Sequence, residues 1–178
     1  MKPPSTYSEW VACLDALLAQ DQQDQDEELL PAMEAGTLEW TSGVAERFTT
    51  RLYEAVDQRL TRAADMLQRD LNRAGGVSAD IVRAILAGRR RLALIMRIAS
   101  VPALPGYARE HLTSVISGYA EKAQKSMESS ARQDRSGKAL SLLRSNAISN
   151  IAVVEQLTNE TAPPSDPFAR PRRPIILP

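Results

Sequence analysis

Apolar residues return every three or four positions along most of the chain, and this spacing predicts helices almost throughout. Tyr7, Trp10, Val11, Leu14, Leu17 and Leu18 mark a first helix over about residues 7–20, opened by Thr6 and Glu9 as a capping box. Leu29 to Ala35 forms a short second helix, with Pro31 best accommodated in its first turn and Gly36 as its stop. Leu38 and Trp40 read as a buried connector. From Ser42 to about Ala74 the seam Val44, Phe48, Leu52, Val56, Leu60, Ala63, Leu67 and Leu71 predicts a long helix of about 50 Å. Gly75-Gly76 then turns the chain back into a second long helix, Ser78 to Ala99, as an antiparallel αα-hairpin.

That returning helix is the most apolar and the most basic part of the chain, and the rest reads as packing around it. Ser78 is its expected N-cap, with Asp80 in the first turn and Val77 stapled onto Val82. At about 100° per residue, Ile81, Ile85, Gly88, Leu92, Met96 and Ala99 share one face, which Val82, Leu86, Ala93, Ala84 and Ile95 widen. Only Arg83, Arg90 and Arg97, seven apart, remain as a solvated ridge. Arg89 falls among apolar neighbours, so it must snorkel or find a carboxylate, or else it anchors an acidic partner group.

Val101-Pro102-Ala103-Leu104-Pro105-Gly106 breaks the helix, because neither proline fits a helix interior. A further helix starts near Tyr107 with Leu112, Val115, Ile116, Tyr119, Ala123 and Met127 as its seam. It meets a soft spot at 133–137, where a single glycine costs only about 1 kcal/mol. The last helix, about Lys138 to Thr158, turns Leu140, Leu143, Ala147, Ile151, Val154 and Leu157 inward. Its other side, Ser141, Ser145, Asn146, Ser149 and Asn150, is short and uncharged, the character of a face between two copies of a chain. A homodimer is therefore expected.

The expected architecture is an all-α bundle of about five helices over residues 1–160, built on the long hairpin, followed by a proline-rich extended tail over 161–178. The absence of alternating Val-, Thr- and Tyr-rich runs excludes a sheet. Residues 20–28 hold five acids and no apolar residue, the composition of a solvated linker. Their alternative role is to neutralise the five arginines of the central helix, which has no acid after Asp80.

Charge excludes a global field, since 22 Lys and Arg balance 22 Asp and Glu over 178 residues. The N-terminal residues lack the apolar stretch of a signal peptide and no run approaches a membrane span, so a cytoplasmic protein is expected. The one cysteine, Cys13, sits within an apolar pattern and reads as a small buried thiol. One histidine and one cysteine do not furnish a metal site or a nucleophilic triad, and no cofactor is implied. His111 loosely resembles the exposed histidine of helical phosphotransfer domains, but Gly118 and Lys122 lie outside the short spacing those domains use; it reads as a surface residue.

What remains points to a non-catalytic protein–protein interaction module, an adaptor, chaperone or assembly component, working through helical faces and the tail. Arg83, Arg89, Arg90 and Arg97 are the candidate partner contacts of the central helix. In the tail, Arg170, Arg172 and Arg173 would steer toward acidic surface while Phe168, Ile175, Ile176 and Leu177 enter an apolar groove. The alternative is a nucleic-acid-binding regulator whose arginines reach phosphates.

Overall fold

The computed structural model describes residues 2–19 and 23–145, with 18, 19 and 23–28 described by their backbone alone. Six helices follow one another: α1 (Tyr7–Ala19), α2 (Gln23–Glu34), α3 (Ser42–Arg73), α4 (Ser78–Ala99), α5 (Gly106–Arg132) and α6 (Lys138–Arg144). No strand occurs among the described residues, so the chain is all-α. The expected helix beyond Arg144 and the proline-rich tail lie outside the described residues, and with them Asn146, Ser149, Asn150, Phe168, Arg170, Arg172, Arg173, Ile175, Ile176 and Leu177.

The capping box at α1 is formed. The Glu9 carboxylate accepts from the Ser5 and Thr6 N–H groups at 2.8 and 3.0 Å, and the Glu9 N–H donates to Thr6 Oγ1 at 3.3 Å. These bonds, the Ser5 N–H foremost, hold the exposed Glu9 carboxyl at about 2. Behind the cap, α1 buries Trp10, Cys13, Leu14 and Leu17.

One expectation fails in α2. Helix begins at Gln23, so the acidic run expected to be a linker is helical from there, and Pro31 lies well inside the helix and not in its first turn. Gln and Glu are good helix formers, and acids at a helix start are favoured by its dipole. The anchor is Leu29, Leu30 and Met33, each no more than 1% exposed, whose burial offsets the one hydrogen bond that Pro31 removes.

The long hairpin stands as expected. Gly75 and Gly76 have φ of +55° and +83°, values a side chain would resist, and they bring α4 back along α3. α5 packs on both, making a three-helix centre, while α1 lies on α3, α2 on α1 and α4, and α6 on α4 and α5.

Two hydrophobic clusters divide this centre. The larger joins α1, α2 and the connectors to the first half of α3 and the last turns of α4, around Trp10, Phe48, Leu52, Ile95 and Ile98. There Phe48 meets Trp10 at 5.7 Å nearly edge-on, and Trp40 at 4.9 Å. The smaller joins the end of α3 and the start of α4 to Met127, Ala131, Ala139 and Leu143.

Details of α4 correct the wheel. Val77, not Ser78, is its N-cap residue, and Val77 is 45% exposed. Met96, placed inward by the wheel, is 38% exposed and Ala93 is also exposed, whereas Val82 is fully buried as expected and Ile98, off that face, is fully buried too. The cover explains this: α6 reaches only the first half of α4, and other neighbours cover the second half from a different side.

Candidate functional site

The arginines of α4 do not form one patch. Arg83 pairs with Asp80 on its own helix. Arg91 reaches Asp70 of α3 at 3.2 Å, both groups being half-buried. Arg97 places Nε and Nη2 on one Glu34 oxygen at 3.1 and 2.9 Å, which fastens α2 to α4. Arg89 is half-buried and Arg90 exposed. Of the expected ridge Arg83, Arg90 and Arg97, two members are therefore paired with carboxylates.

A junction that the residue pattern did not reveal gathers the start of α4, the end of α5 and the start of α6. Asp134, 6% exposed, accepts from Ser78 Oγ at 2.8 Å, the Ala139 N–H at 2.9 Å, the Ser136 N–H at 3.0 Å and the Ser136 hydroxyl at 2.9 Å. Burial alone would raise this carboxyl, but the bonds from Ala139, Ser78 and Ser136 outweigh it and set it below the ordinary carboxylate range. The neighbouring Gly137 turns with φ of +70° and lets α6 begin. A short polar run with one acid, Gln133-Asp134-Arg135-Ser136-Gly137, was the only available signal, and it marks a turn without telling that its carboxylate is buried.

Between the two clusters lies a half-open pocket of about 240 Å³ lined by α3, α4 and α5. Leu60, Ala63, Leu67 and Leu92 form its apolar wall, and Tyr119, Lys122 and Ser126 stand on its α5 side. The Tyr119 hydroxyl is 3.4 Å from Asp57 Oδ1, and Lys122 Nζ lies 5.6 Å from the Tyr119 ring centre. At the pocket's edge Gly88 allows close approach: a Cβ there would lie 2.8 Å from Leu67 Cδ1 and 3.2 Å from Met127 Cε.

On the surface of α3 and α5, the rings of Tyr53 and His111 meet at a tilt of 49° with centres 4.4 Å apart, and Tyr107 is 54% exposed. Burial raises the Tyr53 hydroxyl, and the neighbouring Tyr107 raises it further. His111 itself is exposed. Cys13 is 5% exposed, and burial, then the Glu9 charge, push its thiol up, the opposite of an activated nucleophile. Of the expected uncharged face on the last helix, Ser141 and Ser145 are exposed.

Among the described residues no group of three or more His, Cys, Asp or Glu is placed to hold a metal ion, and no helix is long and apolar enough to cross a membrane. No family model, curated protein or solved structure matches the chain.

Proposed function

We propose that the protein is a non-catalytic interaction module, an adaptor, chaperone or assembly component of the cytoplasm, whose helical faces and C-terminal tail engage another protein. The observation that carries the reading is the aromatic surface of α3 and α5. Tyr53, Tyr107 and His111 come together there in a chain that has only four tyrosines and one histidine. Amphipathic aromatic rings supply much contact area at little entropy cost and are enriched at protein interfaces. The commitment of Arg83, Arg91 and Arg97 to internal carboxylates weighs the same way, against the nucleic-acid alternative. Self-association as a dimer through the uncharged face that begins at Ser141 and Ser145 belongs to this proposal.

The test is affinity capture with three proteins: the full chain, a chain lacking residues 163–178, and the full chain with Tyr107→Ala and His111→Ala. A protein partner held by the first and lost by either of the others supports the module. Equal capture by all three would remove it. Light scattering that gives only the monomer mass at micromolar concentration would remove the dimer.

A further inference from the structure

We propose that the half-open pocket between α3, α4 and α5 binds a free α-amino acid whose apolar side chain is about the size of that of phenylalanine. The space is there because the three helices present small residues at this level: Ala63 on α3, Gly88 on α4 and Ala123 on α5. It lies where the two clusters meet, Leu60 belonging to the larger and Leu67 to the smaller. The wall of Leu60, Leu67 and Leu92 offers no partner to a polar group, so the part of a ligand that enters must be apolar. Size narrows the choice further. An apolar cavity of about 150 Å³ admits benzene, and ligands of drug size take about 300–1,000 Å³. At about 240 Å³ the pocket suits one ring or one branched chain and little else.

The mouth carries one charge of each sign. Asp65 of α3 and Lys122 of α5 both line the pocket, and both are exposed. Neither forms an ion pair among the described residues. Arg69, one turn beyond Asp65, donates its Nε to the Asp65 carbonyl at 3.2 Å and not to the carboxylate. Lys122 Nζ lies 5.6 Å from the Tyr119 ring centre, while the Tyr119 hydroxyl is turned to Asp57. A simple carboxylic acid would satisfy Lys122 and meet repulsion from Asp65, and a simple amine would do the reverse. An α-amino acid carries a carboxylate and an ammonium on the carbon that bears its side chain. One molecule therefore answers both charges of the mouth while its side chain lies against the apolar wall. None of these residues belongs to the surface of Tyr53, Tyr107 and His111, so the pocket stands or falls independently of the interaction reading.

The experiment titrates the full chain with L-phenylalanine, 2-phenylethylamine and 3-phenylpropionate at pH 7 and low salt, with half-saturation followed by ligand-observed NMR. The three probes share the ring and differ only in the charges beside it. Phenylalanine should half-saturate at a concentration about fivefold below either analogue, the upper end of what one exposed ion pair supplies. Lys122→Met should bring phenylalanine level with the amine, and Asp65→Asn should bring it level with the acid. Both substitutions fall on exposed side chains, and circular dichroism checks that the fold is kept. Ala123→Leu fills the pocket and should weaken all three probes together. Absence of phenylalanine binding would overturn the proposal. Equal binding of the three probes, or a preference that survives both charge substitutions, would overturn it as well.

Discussion

Replacing Asp134 by alanine tests the junction at the base of the bundle. The substitution takes one acceptor away from four contacts, and it leaves the Ala139 N–H without its bond at a buried position. The Ser78 hydroxyl, in a residue 7% exposed, keeps only its contact with Ser136 at 2.9 Å. Loss of a helix-capping side chain costs about 0.5–2 kcal/mol, and an unsatisfied buried polar group about 1–3 kcal/mol. The two overlap in the Ala139 N–H, so the expected loss is about 2–4 kcal/mol, near 6–12 °C in Tm at roughly 3 °C per kcal/mol for a chain of this size. Asn at this position keeps one acceptor oxygen and should cost less, about 1–2 kcal/mol. The pH dependence has a definite sign. The folded carboxyl titrates below the ordinary value of 3.8, so its contribution is present above that value and is lost as pH falls through the lower, folded one. Urea unfolding of wild type, Asp134→Asn and Asp134→Ala, followed by circular dichroism at pH 7 and then down to pH 3, measures it. The gap between wild type and the Asn variant should narrow as the carboxyl protonates. A loss under 0.5 kcal/mol for alanine at pH 7, or a gap that does not change with pH, would refute the reasoning.

Gly88→Val drives a side chain against Leu67 and Met127, and overpacking of about 1–3 kcal/mol exceeds the roughly 1 kcal/mol by which glycine weakens a helix; a net loss in urea unfolding is expected, and a more stable variant would contradict it. A double-mutant cycle on Arg97→Ala and Glu34→Ala should give a coupling of about 0.5–1 kcal/mol that shrinks in high salt, because both side chains are more than a third exposed. Cys13 should react with a thiol reagent at pH 8 only as fast as the fold opens, and at once in strong denaturant; prompt labelling of the native protein would show the thiol to be accessible. A mobility shift with duplex DNA at about 50 mM salt should show weak binding at most, and tight, salt-sensitive binding abolished by Arg90→Glu would reverse the assignment of α4.

Periodicity carried the fold far because each long helix buries one face against a single neighbour or pair of neighbours. Leu52, Leu60, Leu67 and Leu71 of α3 are buried as the seam requires, and the glycine pair and the two prolines mark turns that a helix cannot absorb. The reading failed where cover changes along an element. A wheel treats α4 as uniformly surrounded, so it placed Met96 with Ile85, although different helices flank the two ends. It failed again in residues 23–28, where local composition resembles a linker and the decision belongs to Leu29, Leu30 and Met33, which anchor the helix from its other end. Charge was the least legible. That Arg91 and Arg97 meet Asp70 and Glu34, and that Arg59 donates to the Leu17 carbonyl at 2.7 Å, depends on partners 21 to 63 residues away, and no spacing rule reaches that far. For the candidate surface, Tyr107 and His111 share a face of α5 by their spacing of four, and only the pairing of α3 with α5 brings Tyr53 to them.

The division of the interior into two clusters bears on how the molecule yields. α3, α4 and α5 pass through both, and Gly88, where Leu67 and Met127 come close, lines the pocket between them. The two clusters are separate groups of buried side chains joined along the continuous backbones of α3, α4 and α5. Such a body has two natural units of partial opening instead of one. If each cluster opens as its own unit, amide hydrogen exchange should give one protection level for the helix ends around Leu71, Ile81 and Ala139 and another for those around Trp10 and Phe48.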